Sequence, residues 1–421
     1  MKQYDSYKDS GVEWIGEVPS HWEVRKIKTF SPVKRGASPR PIDDPKYFDE
    51  NGEFSWVRIA DVSASDKYLT TTTQKLSNLG SSLSVKRYPG DIFISIAGTV
   101  GKPIISSIKC CIHDGFVYFP YLKNMNTEFL YYIFMSGQPY LGLGKLGTQL
   151  NLNTETIGNI YIPYPSVEVQ NLIVSYLNKK CSEIDNVISA QQKRIALLQE
   201  LKQSVITHAV TKGLDPNVEM KATEENWIDK IPASWRIAKL KYFISLVNGR
   251  AYSQPELLSE GKYKVLRVGN FFTNDIWYYS NMELKEDKYC NNGDLLYAWS
   301  ASFGPYIWNQ DRTIYHYHIW KVCYNECMDK MYVYYMLKAI TNFKLGDIHG
   351  STMVHITMES MNKSIIPIPS LDEQKDIASY LDKKCASIDS SISKAQHQVD
   401  LLQEYKQSLI NEVVTGKRKV C

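Results

Sequence analysis

Arginine, lysine, asparagine and glutamine recur at matching places in two halves of this 421-residue chain, in segments punctuated by glycine and proline. PVKRGASPRP carries Lys34, Arg35, Ser38 and Arg40, and its counterpart VNGRAYSQ carries Asn248, Arg250, Tyr252 and Gln254. Arg58 in WVRIAD parallels Arg267 in VLRVGN. Gly98, Thr99 and Lys102 form one loop, matched by Trp299, Ser300 and Ser302. Thr148-Gln149-Leu150-Asn151 parallels Thr352-Met353-Val354-His355. Such side chains on loops suit phosphate contact and base-edge readout in DNA. For any one of them a solvated surface charge is the commoner explanation. Their recurrence in both halves makes the set a candidate nucleic-acid interface.

Signatures of catalysis are missing, so no catalytic residue, metal site or cofactor is expected. Gly142, Gly144 and Gly147 have dinucleotide-loop spacing, but they follow a helical pattern, and no acidic residue sits about 20 positions on in the right setting. Gly98 to Pro103 resembles the end of a phosphate-binding loop, but Ile96 and Pro103 occupy positions that need glycine and Ser/Thr. No methyltransferase tetrapeptide, H-E-x-x-H or G-x-S-x-G occurs. His316, His318, Cys323 and Cys327 faintly resemble a zinc site, yet the surrounding IYHYHIWKVCYNEC alternates as a buried strand does. Cys181 and Cys385 lie on helical patterns with no partner nearby, and no disulfide framework is expected.

The elements that carry these loops are duplicated. IPYPSVEVQNLIVSYLNKKCSEID from Ile162 returns as IPIPSLDEQKDIASYLDKKCASID from Ile366, and LLQE at Leu197 returns at Leu401, always 204 residues on. WIGEVPSHWEV at Trp14 pairs with WIDKIPASWRI at Trp227. One duplicated rigid scaffold carrying two divergent domains follows from this. Ser166 and Ser370 are candidate N-caps, and Glu373 completes a capping box that Val169 leaves open in the first copy. Ile184, Ile188, Ile195, Leu198, Val205 and Ala209 form a short heptad seam interrupted at Gln191 and Lys202. Their mates are Ile388, Ile392, Val399, Leu402, Leu409 and Val413, with Ala395 and Lys406 at the interruptions. A helix over 168–211 spans roughly 65 Å and cannot bury its stripe alone. An antiparallel intramolecular coiled coil is the expectation, with two independent helices, each on its own domain, as the alternative.

The expected architecture is α+β, with an internal pseudo-twofold repeat. A first variable domain covers 1–165, a central helical region 166–213, a second variable domain 214–369 and a C-terminal helical region 370–421. FSWVRIADV, GDIFISIAG and CIHDGFVYFP read as strands in the first domain, with NTEFLYYIFMSG as a helix. YKVLRVGNFF, GDLLYAWSA and YHYHIWKVCY read as strands in the second, with KMYVYYMLKAI as a helix. No apolar run is long enough for a membrane helix, and the first residues hold no secretory signal, so a cytoplasmic protein is expected. The net charge of +4 permits nucleic-acid binding without demanding it.

The whole chain resembles the specificity subunits of type I restriction-modification systems. SGVEWIGEVPSHWEV at Ser10 carries the resemblance, as does the order PS-x-x-x-Q, YL-x-KK, ID and LLQE-x-KQS. It implies two target-recognition domains on antiparallel helices, reading a bipartite asymmetric site in double-stranded DNA. It also implies modification (methyltransferase) subunits, two in number, that use S-adenosylmethionine, and restriction subunits for translocation and cleavage. The helices then act as a ruler between half-sites. Lys179, Lys180, Lys383, Lys384 and the loops after Val210 and Val414 are candidate docking points for the modification subunits. A recognition subunit of a type IIB system, or a coiled-coil adaptor with no nucleic acid, are the competing readings.

Overall fold

The computed structural model describes residues 3–141, 143, 152–272, 274–300, 302–346 and 356–420. Two compact units make up the chain, one of residues 1–191 with 397–421 and the other of residues 192–396. Two long helices, Val167–Lys212 and Leu371–Val414, contribute to both. The first unit therefore takes the start of one helix and the end of the other, and the second unit takes the complementary halves.

Each helix begins and ends for local reasons. The Ser370 hydroxyl accepts from the Glu373 amide at 3.3 Å while the Glu373 carboxylate accepts from the Ser370 amide at 3.0 Å, the expected capping box. Ser166 has only the outward half of that arrangement, a 3.4 Å bond from the Val169 amide. At the far ends Gly213 and Gly416 sit at positive φ, 74° and 77°, where the chain must turn left-handed to leave the helix.

The seam is antiparallel in both units. In the first, Ile184 and Cys181 share a core with Leu409, Ile410 and Val413. In the second, Ile206, Ala209 and Val210 share one with Ile377, Leu381 and Cys385. Lys406 Nζ meets the Asp185 carboxylate at 2.6 Å in the first unit, and Lys202 Nζ meets Asp389 at 2.7 Å in the second. The two lysines that interrupt the heptad pattern are thus partners of acids on the facing helix, the same pair made twice with the copies exchanged.

The domains share one strand order, except that the first adds the edge strand Tyr68–Leu69. In the first, a sheet runs in the order Lys34–Arg35, Phe116–Tyr118, Ile92–Ser95, Pro103–Ser106 and Tyr68–Leu69; a second runs Gln74–Leu76, Phe54–Val57, Cys110–Ile112 and Val85–Arg87. In the other domain the orders are Ile244–Asn248, Ile319–Tyr324, Leu295–Ala298, Gly304–Ile307, and Tyr278–Ser280, Tyr263–Leu266, Thr313–Tyr315, Tyr289–Cys290. In each, one parallel pair joins the second sheet: Phe54–Val57 with Cys110–Ile112, and Tyr263–Leu266 with Thr313–Tyr315. Entry and exit strands also pair, Glu23–Lys26 with Tyr161–Tyr164 and Arg236–Lys239 with Ile365–Ile368. Among the described residues no helix is long and apolar enough to cross a membrane.

A buried glutamine ties each domain to its helix. Gln170 Nε2 donates to the Pro165 carbonyl at 3.0 Å, and its Oε1 accepts from the Asn126 amide at 2.8 Å. Gln374 repeats both bonds, to Pro369 at 3.1 Å and from Asp329 at 2.8 Å. Tyr132 donates to Asn178 at 2.6 Å, and its mate Tyr335 donates to Asp382 at 2.7 Å.

Four strand readings need correction. FSWVRIADV leaves the strand at Val57 and becomes the short helix Ile59–Ala64, because the Asp61 carboxylate accepts from the Arg58 amide at 2.8 Å. YKVLRVGNFF does the same after Leu266, with Asn270 accepting from the Arg267 amide at 3.0 Å. CIHDGFVYFP and YHYHIWKVCY are each two strand ends joined by a histidine turn. His316 and His318 lie in that turn and not on a strand, because the His316 imidazole and carbonyl take the bonds that close it.

Candidate nucleic-acid interface

Arg35, Ser38 and Arg40 of the first domain converge on the turn at His113–Gly115, which composition and motif did not single out. Strand Lys34–Arg35 pairs antiparallel with Phe116–Tyr118, placing Arg35 opposite Val117. Gly36 then presses against the turn so closely that a Cβ there would sit 2.1 Å from the His113 carbonyl oxygen. His113 Nδ1 accepts the Gly115 amide at 2.8 Å, and burial lowers its pKa against the opposing charge of Asp114, favouring the neutral ring.

Asp114 is the hub. Its carboxylate accepts from Ser38 Oγ at 3.1 Å and from Arg40 Nη2 at 2.9 Å, and its backbone carbonyl accepts from Arg35 Nε at 2.5 Å. Burial alone would raise this carboxyl, but the Ser38 bond and the Arg40 and Arg35 charges outweigh it and hold it below the usual carboxylate range. Arg40 thus finds its acid on a distant turn rather than at neighbouring Asp43 or Asp44. Across a cavity of about 680 Å³, Arg58 donates through Nη2 to Gln74 Oε1.

Two further candidates lie on the adjacent loop. Thr99 Oγ1 shares a 2.6 Å hydrogen bond with Ser63 Oγ. Lys102 Nζ turns inward to the carbonyls of Ser63 and Ser65 at 3.1 and 2.6 Å, closing the C-terminus of helix Ile59–Ala64, and burial lowers its pKa. Lys34 is exposed on its strand. Gly142, Gly144, Gly147, Thr148 and Gln149 lie outside the described residues, as do Thr352 and His355 of the second domain.

The second domain repeats the turn with other chemistry. Gly249 packs as Gly36 does, with a Cβ falling 2.3 Å from the His316 carbonyl oxygen. His316 Nδ1 accepts the His318 amide at 3.4 Å, and burial, then His318 and Arg267, lower its pKa to about 4. Asn248 Oδ1 accepts from Trp320 Nε1 at 2.8 Å. Arg250 donates to Glu256 at 2.6 Å and to Met282 Sδ at 3.3 Å, and lies 5.1 Å over the Tyr252 ring. The Arg250 hydrogen bond, with the Ser253 amide, holds the Glu256 carboxyl down at about 2. Tyr252 stacks on His316, and burial pushes its phenol well up. Arg267 lies 5.4 Å over Tyr278. Trp299 donates to the Tyr317 carbonyl at 2.8 Å and stacks on Trp320, and the Ser302 amide donates to the Ser300 carbonyl at 2.8 Å.

Among the described residues no cluster of three or more His, Cys, Asp or Glu side chains could hold a metal ion. The sequence hint from His316, His318, Cys323 and Cys327 dissolves into separate environments. The histidines pack against each other and Tyr317, while Cys327 is exposed and donates to Asn325 Oδ1 at 3.0 Å.

Comparison with known proteins follows the duplication. The family model for the type I restriction modification DNA specificity domain matches twice, at residues 19–198 and 232–398. The MjaVIII type I restriction enzyme specificity subunit of Methanocaldococcus jannaschii is 24% identical, covering 96% of this chain and 94% of its own. The EcoKI specificity subunit of Escherichia coli is 22% identical over 45% of this chain and 44% of its own. A solved structure described as "Structural basis underlying complex assembly and conformational transition of the type I R-M system" shares the fold. Its TM-score is 0.70 at 16% identity, over 94% of this chain and 98% of that one.

Proposed function

Because the chain belongs to the type I restriction-modification DNA specificity family, as a specificity subunit, we propose that each of its two domains reads one half of a bipartite asymmetric site in double-stranded DNA. One observation carries this reading. The same core strand order and the same histidine turn are built twice, and the side chains displayed around the turn differ. A fixed frame with exchanged polar groups is what two independent base-edge readers require. The basic loops supply the phosphate contacts that fix register on the duplex.

The chain itself performs no chemistry in this reading. Modification subunits, two in number, supply adenine methylation from S-adenosylmethionine, and restriction subunits supply translocation and cleavage. The complex acts in the cytoplasm. The outward faces of the long helices, with Lys179, Lys180, Lys383 and Lys384, and the loops after Val210 and Val414 are where the modification subunits dock.

The test is an exchange of residues 20–165 for the same domain of a relative, followed by mapping of methylated adenines. The expected result is a change in one half of the recognised site. A change in both halves would show that the domains do not read independently. The purified chain with S-adenosylmethionine alone should transfer no methyl group to DNA; robust transfer would overturn the non-catalytic role.

A further inference from the structure

The cavity beside the His113 turn is lined by two arginines, Arg40 and Arg58, each hydrogen-bonded to a side-chain acceptor. Arg40 gives one Nη to Asp114 at 2.9 Å, yet its side chain stays 73% exposed. Ser38 holds the second oxygen of Asp114 at 3.1 Å, so the carboxylate cannot swing without breaking both bonds. Arg58 faces the same cavity with Gln74 on its own Nη, and buried Trp56 contributes to the wall. A guanidinium has five N–H donors, so each arginine keeps donors after this bracing.

Phosphate needs no such bracing, since a mobile point charge serves it, and a carboxylate beside the site repels it. A planar fork held by an acceptor matches the two acceptors, O6 and N7, on the major-groove edge of guanine. The second domain does not repeat the device. Tyr317 stands where Asp114 does, and Arg250 is held between Glu256 and Met282 with its side chain only 31% exposed.

We propose that this cavity reads a guanine within the half-site of the first domain, with Arg40 as the base contact and Asp114 as the residue that positions it. The proposal rests on the duplex-reading function above and adds a base identity and a division of labour to it.

The experiment selects sequences from randomised duplexes with the full chain, comparing the parent with Arg40→Lys, Asp114→Ala and Asp114→Asn, beside thermal melts and a salt series. Arg40→Lys keeps the charge and loses the fork. It should weaken a guanine preference at one position, by about tenfold, and leave the salt dependence intact. Asp114→Ala should weaken preference at that same position and no other, with Asp114→Asn in between because one acceptor remains. If Asp114→Ala melts early, Arg40→Lys, which leaves Asp114 in place, decides. Equal weakening on all duplexes, with no loss of preference at any position, would make Arg40 a phosphate contact and overturn the proposal. Parental preference retained in both Arg40→Lys and Asp114→Asn would overturn it too. A parent chain that selects no sequence at all would instead sink the duplex-reading function on which it rests.

Discussion

The turns at His113–Phe116 and His316–Ile319 close with the same bonds. The Phe116 amide donates to the His113 carbonyl at 3.1 Å and the Ile319 amide to the His316 carbonyl at 3.0 Å, with each imidazole capping its own turn. Around that frame the first domain places a carboxylate and arginines. The second adds rings to its Arg250–Glu256 pair: Trp299 stacks on Trp320, Trp320 on Tyr297, and Tyr317 meets His318. The backbone of the turn is specified by a glycine, a histidine and the sheet hydrogen bonds, none of which needs the displayed side chains. The reading chemistry is therefore free to change while the fold stays, which accounts for one scaffold carrying two dissimilar surfaces.

The sharpest way to break this equivalence is to fill the glycines. Gly36→Ala and Gly249→Ala should each destabilise the full chain by about 3 kcal/mol in chemical denaturation, because backbone must move to admit a methyl group. If one is tolerated and the other is not, the two turns are not built alike.

Next come the buried glutamines. Gln170→Leu and Gln374→Leu each strand a backbone amide, of Asn126 and of Asp329, at a cost of roughly 1–3 kcal/mol. Equal losses in the two variants are expected from their matched bonds.

The exchanged ion pairs are worth less. Their carboxylates are more than half exposed, so Lys202→Met and Lys406→Met should each cost no more than about 1 kcal/mol. Double-mutant cycles with Asp389→Asn and Asp185→Asn should return similar couplings; a clear inequality would mean that the two halves of the seam are not equivalent.

The turns should also differ in pH dependence. With its folded pKa lowered from 6.5 to about 4, His316 adds stability that is present above about pH 6.5 and is lost as pH falls toward 4. His316→Gln should flatten that acid-side loss in melts across this window. His113→Gln should flatten it less, because Asp114 opposes the burial effect there.

Much of the scaffold was legible because its signals are local. The capping box at Ser370 and the heptad positions each act within a few residues, and the constant 204-residue offset exposed the duplication. The interface was legible only in part. Arg35, Ser38 and Arg40 were visible as loop residues, yet their common partner Asp114 lies 74 to 79 positions away. Nothing near Asp114 distinguishes it from a solvated acid. Lys102 looked like one more basic loop residue, and its inward turn depends on helix carbonyls 37 and 39 positions back.

By itself the sequence determined two copies of one element order, two helices that need each other, and a chain without catalytic signatures. Those properties follow from periodicity and composition, which tertiary contacts do not alter. Only the tertiary structure decided that Lys202 and Lys406 close ion pairs across 187 and 221 residues. It also decided that two apparent strands bend at histidines, and that Asp114 rather than Asp43 or Asp44 holds Arg40. A hydrogen bond between remote segments has no local signature, because its geometry is set by how the sheets and helices pack.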